Sequence, residues 1–249
     1  MIGANKKKSD FATPYTVSNA LTKGGAAVKL SALIMGLGNI AHKQIIKGLI
    51  FLAIEIGYIM FMVNAGAYYL SMLPSLGWRK QEEVFNEQKQ IYEYVQGDNS
   101  LLILLYGITV IFIICAYIIL AVSSLKSAYN VELRMKQGKH INTFVEDIKA
   151  LFNENLHKLL LVLPVTGILV FTILPLVFMI SMAFTSYSKV DSHLVLFDWV
   201  GLENFKLIFN SGSSIGQSFW SVFGWTIIWA VLATFLNYIL GILVALLIN

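Results

Sequence analysis

Charge and cysteine are both scarce in this sequence. Only 13% of its 249 residues are charged, whereas a typical soluble domain carries roughly 25%. Too few polar atoms are therefore available to cover a surface that faces water. Cys115 is the sole cysteine, so the chain can form no disulfide within itself. These two shortages exclude an ordinary soluble domain and a scaffold held together by disulfides.

The motifs of several enzyme classes are absent as well. The sequence has no G-x-x-x-x-G-K-[ST] loop, which excludes ATP binding through a P-loop in this chain. It also lacks H-E-x-x-H and paired cysteines. The four histidines are scattered outside the apolar stretches: His42, His140, His157 and His193. We therefore predict no enzymatic activity, metal site or cofactor site here. Any energy-driven process would need a partner protein that supplies the energy.

What the sequence does contain is long apolar stretches, and 57% of its residues are hydrophobic. Four stretches are long enough to cross a bilayer, whose hydrocarbon core takes about 20 helical residues: 45–70, 101–122, 159–184 and 219–248. They are continuously apolar, whereas the strands of a membrane barrel would alternate. We therefore predict an all-α, polytopic helical membrane protein with four transmembrane helices.

The lysines and arginines are distributed unevenly around these stretches. Thirteen lie at or before the start of the first stretch, Lys47 included, or between the second and third, and five lie in the other two connectors. The positive-inside rule therefore predicts a cytoplasmic amino terminus, with 71–100 and 185–218 on the outer side. Basic residues beside membrane spans are typical of attraction to lipid headgroups, so no nucleic-acid partner is predicted.

Three segments on the predicted cytoplasmic side have different characters. Residues 1–25 are polar and aperiodic, which predicts a disordered cytoplasmic tail. Apolar residues in 26–47 recur near helical spacing and predict a short helix in the inner interface, leading into the first span. The apolar face of 139–157 predicts an amphipathic cytoplasmic helix on the inner leaflet. Docking of a partner subunit is the alternative role for this helix.

Two spans contain residues that are unusual in a membrane. Glu55 lies well inside the first span, where an unpaired charge costs several kcal/mol, so it is a candidate for helix packing or for a polar pathway. The alternative is a structural role, near the inner interface or as a neutral acid. Pro164 and Pro175 are about three helical turns apart in the third span, which predicts kinks on one face of that helix.

The fourth span contains a stripe of small and polar residues at every fourth position. Its members are Asn237, Gly241, Ala245 and Asn249. Such stripes let helix backbones approach closely and hydrogen-bond to each other, which predicts a helix-packing surface. Lining of a polar pathway is the alternative.

Three stretches in the second half of the chain have a recognisable pattern. They read "LPVTGILVFTILPLVFMISMAFTSYS" (163–188), "FDWVGLENFKLIF" (197–209) and "SFWSVFGWTIIWAVLATFLNYILGILVALLIN" (218–249). Together they resemble the maltose/maltodextrin-type permease subunit of binding-protein-dependent ABC importers. The resemblance implies that 159–249 begins the transmembrane core. It also implies that 26–158, with the first two spans, is the amino-terminal extension of the larger permease subunit of the sugar type.

The resemblance also implies partners and a location. A bacterial cell membrane, a second permease subunit, a dimer of ATP-binding cassette ATPases and an extracytoplasmic sugar-binding protein would be expected, with ATP and Mg on the partner subunits. Segment 197–209 would lie at the outer interface, below the docking surface for the binding protein, with these candidates: Trp199, Gly201, Leu202, Asn204 and Phe205. The family's cytoplasmic coupling segment, with its Glu-Ala-Ala signature, does not occur here. The expectation is therefore an amino-terminal portion of a permease, in which no residue is assigned to substrate or ATPase contact.

The function expected from this resemblance is import of oligosaccharides, with maltose or maltodextrin as the solute. One alternative is an importer of the same architecture for another sugar or a polyol. Another is a membrane-anchored interaction or sensory protein, whose helix at 139–157 would recruit a cytosolic partner.

Overall fold

The computed structural model describes residues 16–80, 82–95, 97–187, 189–190, 193–194, 196–210 and 212–248. Four helices in this part of the chain are long and apolar enough to cross a membrane: Ile45–Met72, Ser100–Lys136, Leu156–Met182 and Ser214–Ile248. They are called the first to fourth spans. The prediction of a helical, polytopic membrane protein is thereby confirmed. The chain divides into two compact units between Phe178 and Met179.

The first unit begins with three short helices, α1 (Val17–Lys23), α2 (Ala26–Leu30) and α3 (Leu37–Ala41). The disorder predicted for 1–25 is wrong for α1, whose first turn is capped by the Thr16 hydroxyl accepting from the Asn19 N–H at 3.2 Å. Residues 1–15 lie outside the described residues. The single helix predicted within 26–47 is also wrong. Gly36 adopts a φ of 82°, a left-handed conformation that ends helical geometry between α2 and α3.

The first span consists of α4 (Ile45–Phe61), a π-helical turn π1 (Met62–Gly66) and α5 (Ala67–Met72). It is followed by a hairpin that the sequence reasoning missed, in which β1 (Glu82–Asn86) pairs antiparallel with β2 (Ile91–Val95). The hairpin lies within the connector predicted to face outward.

Asp98 fastens the base of this hairpin. Its Oδ2 accepts the backbone N–H groups of Trp78 and Arg79, each at 3.0 Å, and its own N–H donates to the Arg79 carbonyl at 2.8 Å. The donated amides hold the pKa of the Asp98 carboxyl below its usual value. The Asp98 side chain thus joins the segment that leaves the first span to the segment that enters the second span.

The second span is a single helix, α6 (Ser100–Lys136), of 37 residues. At 1.5 Å per residue it is about 55 Å long, well beyond the roughly 30 Å of a hydrocarbon core. The carboxyl-terminal part of α6 packs against α1 and α2 through a small apolar core: Ala20, Val28, Leu125, Ala128 and Tyr129. The segments before the first span and after the second therefore lie at the same end of this unit.

The amphipathic helix predicted at 139–157 is shorter in the structure. It is α7 (Phe144–Phe152), and it begins with a capping box in which Thr143 and Glu146 each accept the other's backbone N–H. Lys47 at the start of the first span forms an ion pair with Asp147 of α7 at 2.9 Å. The apolar face of α7, including Val145 and Phe152, is exposed on the protein surface.

The third span consists of α8 (Leu156–Ile168), a second π-helical turn π2 (Leu169–Ile173) and α9 (Leu174–Met182). The prediction that Pro164 and Pro175 share one face assumed a continuous α-helix between them. A π-helical turn takes more residues than an α-helical turn, so π2 shifts the register between the two prolines. Kinks at Pro164 and Pro175 stay a prediction. Pro175 has no N–H to donate to the preceding turn, and π2 ends two residues before it.

The second unit contains a two-stranded pair, β3 (Lys189–Val190) and β4 (His193–Leu194), then α10 (Glu203–Phe209) and α11 (Ser214–Ile248). Helix α11, the fourth span, begins five residues before the predicted start at 219. Within the second unit nearly all of its described side chains are exposed.

Candidate functional site

Glu55 lies in α4 and is buried, with 6% of its surface exposed. Its Oε2 accepts the backbone N–H of Met35 at 2.8 Å, and its Oε1 accepts the hydroxyl of Tyr117 from α6 at 3.3 Å. The Tyr117 ring stacks on Tyr58 of α4, with centroids 3.8 Å apart and planes 7° from parallel. An acid within an apolar span is therefore surrounded by donors from two other segments of the chain.

Two roles were considered for Glu55: helix packing or a polar pathway, and a structural role. Its contacts can be compared with both. Lys47, the cation nearest in sequence, is paired with Asp147. In the described part of the chain, no group of three or more His, Cys, Asp or Glu residues could hold a metal ion. The hydrogen bonds to Met35 and Tyr117 favour a structural role, in which Glu55 joins the amino-terminal segment to the first two spans.

Sequence reasoning singled out Glu55 but missed both of its partners. Met35 acts through its backbone, so no residue type could have indicated it. Tyr58 and Tyr117 offered a signal, since each places an aromatic hydroxyl in an otherwise apolar span.

The second candidate region is the segment at 197–209, which closes the end of the third span. The last carbonyl groups of a helix have no partner within the helix. The side-chain amide of Asn204 donates to the carbonyls of Ala183 and Thr185, at 2.9 and 2.8 Å. The Phe184 carbonyl accepts the Val200 N–H at 2.8 Å. The last carbonyls of α9, at 180–182, accept from the N–H groups of the turn at 183–185. The segment at 197–209 thus fixes the turn that follows the third span.

The local geometry explains several residue choices in this segment. Gly201 has a φ of 59°, in the left-handed region that favours glycine, and it turns the chain into α10. The Phe205 ring packs against Phe184 with centroids 5.3 Å apart, and Trp199 forms an isolated bridge with Thr185.

Of the five docking candidates, Asn204 and Phe205 are thus engaged with the end of the third span. Leu202 is 62% exposed and Trp199 is 38% exposed. Contact with a binding protein stays a prediction, and Leu202 and Trp199 are the two side chains most available for it.

The stripe on the fourth span has no partner among the described residues of the second unit. Asn237, Gly241 and Ala245 are all exposed, and a Cβ added at Gly241 would meet no atom within 4 Å. Asn249 lies outside the described residues. Helix packing and a polar pathway therefore both stay predictions for this surface.

Comparison with curated proteins finds relatives along nearly the whole chain. The maltodextrin transport system permease protein MalC of Streptococcus pneumoniae is 32% identical over 224 residues, which is 88% of this chain and 47% of the relative. The maltodextrin transport system permease protein MdxF of Bacillus subtilis is 34% identical over 236 residues, covering 93% of this chain and 50% of the relative. The galactooligosaccharides transport system permease protein GanP of Bacillus subtilis is 27% identical over 226 residues, covering 88% and 49%.

The chain spans about half the length of the curated relatives that it matches. No family model and no solved structure matches it. The names of the relatives agree with the resemblance seen in residues 163–249.

Proposed function

We propose that this chain, a homologue of oligosaccharide transport permease proteins, forms part of the membrane-spanning permease of an ABC importer that moves oligosaccharides into the cell. The observation that carries the proposal is similarity over 88–93% of the chain to proteins named as transport permeases. Four apolar helices of spanning length agree with it. The same similarity favours a permease over a membrane-anchored interaction or sensory protein.

The proposed solute is maltodextrin. The relatives at 32% and 34% identity are named for maltodextrin, and the one at 27% is named for galactooligosaccharides. Oligosaccharides are the class common to all three, so another sugar or a polyol is the second candidate.

The proposed mechanism assigns the chemistry to partners. A dimer of ATP-binding cassette subunits would bind ATP and Mg and close during hydrolysis, and a second permease subunit would complete the transmembrane cleft. That closure would shift the spans between inward-open and outward-open populations. This chain would contribute scaffold, part of the cleft wall and, through Leu202 and Trp199, part of the docking face for an extracytoplasmic sugar-binding protein.

The proposed orientation has the amino terminus in the cytoplasm of a bacterial cell. Thirteen of the 18 lysines and arginines fall on that side, which is the bias expected of cytoplasmic segments. The packing of α1 and α2 against the end of α6 supports a shared side for the two basic regions, since both lie at one end of the first unit.

Uptake measurements test the solute. Cells that lack the gene should lose accumulation of labelled malto-oligosaccharides and regain it when the protein is restored. Unlabelled galacto-oligosaccharides and polyols, added as competitors, would identify the alternative solutes. Unchanged malto-oligosaccharide uptake in the deleted strain would contradict maltodextrin transport.

Copurification tests the class of protein. Tagged protein extracted in mild detergent should bring down a P-loop ATPase and a second polytopic permease in stable stoichiometry. Recovery of a cytosolic regulator in their place would favour the interaction or sensory protein.

A further inference from the structure

The amino-terminal segment 26–41 follows an unexpected path along α6. Near its start, the Gly25 N–H donates to both carboxylate oxygens of Glu132, at 3.1 and 2.9 Å. Ten residues after Gly25, the Met35 N–H donates to Glu55, and the next N–H, of Gly36, donates to the Ser124 hydroxyl at 3.0 Å. The segment then returns through α3, where the Asn39 amide donates to Ser127 at 3.0 Å. The segment is therefore a hairpin whose tip, at Met35 and Gly36, points along α6 toward the middle of the spans.

Two independent distances give the depth of this tip. Along α4, Glu55 is eight residues beyond Lys47, or about 12 Å at 1.5 Å per residue. Along α6, Tyr117 is nine residues from Lys126, or about 14 Å. Lysines at the ends of membrane helices keep their charges at the interface. Glu55 and Tyr117 reach the tip through long side chains, whereas Gly36 touches Gly48, one residue beyond Lys47, and donates to Ser124, two residues from Lys126. The tip therefore lies between about 3 and 12 Å beyond the lysine level, within one leaflet, whose hydrocarbon is roughly 15 Å thick.

Backbone that is not helical can exist at such a depth only if its polar groups have protein partners. The N–H groups of the turn at the tip fulfil this requirement. Besides the bonds to Glu55 and Ser124, the Gly38 N–H donates to the buried Ser31 hydroxyl at 2.6 Å, and that hydroxyl donates to the Ala27 carbonyl at 3.1 Å.

The hairpin also fits closely against the first span. A Cβ added at Gly36 would lie 2.1 Å from the Gly48 carbonyl oxygen, and one added at Gly48 would lie 2.4 Å from Cγ1 of Ile40. Real Cβ atoms do not approach other atoms so closely, so the two backbones touch without room for a side chain. The close contact between Gly36 and Gly48 is therefore part of the packing of the first unit.

The outer face of the hairpin is apolar and lacks charge. Leu30, Leu33 and Ile34 are 47%, 76% and 45% exposed. Residues 30–41 contain no charged side chain, and the charges resume at Lys29 on one side and Lys43 on the other. A water-facing surface would not leave this run uncharged, whereas a membrane-inserted hairpin would, with a lysine at each end near the interface.

We propose that residues 26–41 form a re-entrant hairpin, inserted from the amino-terminal side into the hydrocarbon of the adjacent leaflet, with Leu33 and Ile34 facing lipid acyl chains and Glu55 holding its tip. This inference depends on the spans crossing a bilayer and is independent of the transported solute. Glu55 is then a positioning residue, because it satisfies the Met35 amide at a depth where water cannot.

Spin labelling of the full chain in lipid nanodiscs tests the insertion. In a Cys115→Ser background, single labels would be placed through Leu33→Cys, Ile119→Cys on the lipid-exposed middle of α6, and Thr22→Cys on exposed α1. We expect the ratio of oxygen to nickel-chelate accessibility at position 33 to approach that at position 119 and to exceed that at position 22. The proposal would be overturned if the label at position 33 were as accessible to the nickel chelate as the label at position 22. It would also be overturned if the label at position 33 were inaccessible to both oxygen and the chelate.

A pair of variants tests the role of Glu55. Glu55→Leu removes both acceptor oxygens, so the tip should withdraw and the accessibility ratio at position 33 should fall toward that at position 22. Glu55→Gln keeps one acceptor for the Met35 amide and should retain the ratio of the unmodified protein. An unchanged ratio in Glu55→Leu would contradict the holding role. The measurement with Glu55 intact decides insertion by itself, even if the leucine variant fails to fold.

Discussion

Single polar side chains in this protein bind backbone groups at the ends of helices and in the turns between them. Asn204 binds the turn after the third span, Glu132 accepts the amide of Gly25, and Glu55 accepts that of Met35. Glu132 and Glu55 are buried, whereas the hydrogen bonds of Asn204 are at most partly buried. An unsatisfied buried amide costs about 1–3 kcal/mol, so the two glutamates should contribute more to stability than their number implies.

The first prediction concerns Asn204. Asn204→Ala removes donors from the Ala183 and Thr185 carbonyls. Because these bonds are at most partly buried, we expect the free energy of unfolding in detergent micelles to fall by about 0.5–1.5 kcal/mol, the net contribution of an ordinary hydrogen bond. Glu203→Gln, at the exposed neighbouring position, is the matched control and should change little. Equal stability of the two variants in a denaturant titration would show that the Asn204 hydrogen bonds contribute nothing.

The second prediction compares two glycines of α4. Gly48→Ala would place a methyl group 2.4 Å from Ile40 and 2.6 Å from the Gly36 carbonyl oxygen. Overpacking of this kind costs about 1–3 kcal/mol. Gly57→Ala meets no atom within 4 Å and should be neutral or stabilising, by up to about 1 kcal/mol, because alanine favours helix. Thermal unfolding of the two variants measures the difference, and a Gly48→Ala variant as stable as Gly57→Ala would refute the close contact.

Short elements connect the spans at both ends of the first unit, and each is stabilised by hydrogen bonds from a nearby side chain. The hairpin β1–β2 is fastened by Asp98, and α7 begins at the Thr143 capping box. Both sets of hydrogen bonds can be tested by substitutions outside the spans.

The third prediction concerns pH and the hairpin. Hydrogen bonds in the folded protein hold the pKa of Asp98 below its unfolded value, which is about 3.9. Its stabilising effect is therefore fully present above that value and is lost as the pH falls through the lower, folded pKa. We expect amide exchange at Trp78 and Arg79, corrected for intrinsic rates, to accelerate at acidic pH. Asp98→Asn, which cannot titrate, should abolish that dependence, and a persistent dependence would point to another group.

The fourth prediction concerns the capping box of α7. Thr143→Ala removes the acceptor for the Glu146 amide, which should cost about 1 kcal/mol of helix stability. Hydrogen exchange at 145–147 should become faster in this variant, whereas Thr143→Ser, which preserves a capping hydroxyl, should match the unmodified protein. Unchanged exchange in both variants would mean that packing alone sets the start of the helix.

The elements were predictable to the extent that their signals are local. The four spans follow from apolar runs of spanning length. The start of α7 was placed too early, at 139, because the Thr-x-x-Glu pattern at 143–146 was not used, although it is a local signal for the start of a helix. The hairpin β1–β2 was missed because "EEVFN" and "IYEYV" are short and mix acids with β-formers. The break at Gly36 could not be predicted, since the contact that demands it, with Ser124, joins residues 88 positions apart.

For the candidate sites, residue identity was predictable and role was not. Asn204 and Gly201 stood out by their place in "VGLENF", yet the acceptors of Asn204 lie 19 and 21 residues earlier in the chain. Glu55 stood out as an acid in an apolar span, but its main partner is a backbone amide, which every residue except proline carries.

At the scale of the whole molecule, the fifth prediction concerns the sides of the membrane. In a Cys115→Ser background, a membrane-impermeant maleimide should label Gln88→Cys, in the turn of the hairpin, in intact cells. Thr22→Cys and Met135→Cys should react only after the membrane is opened. Labelling of positions 88 and 135 from the same side would contradict the arrangement of the first two spans.

Helix α6 joins the two ends of the first unit without interruption. Near its amino-terminal end Gly107 lies so close to Leu73 that a Cβ would be 2.6 Å from that side chain, and near its carboxyl-terminal end Glu132 accepts the Gly25 amide. A rigid rod that tilts about its midpoint moves its two tips in opposite directions. If α6 tilts and both contacts hold, the connector after Leu73 and the amino-terminal helices must move with it, in opposite directions. Otherwise the contacts at one of these ends must break.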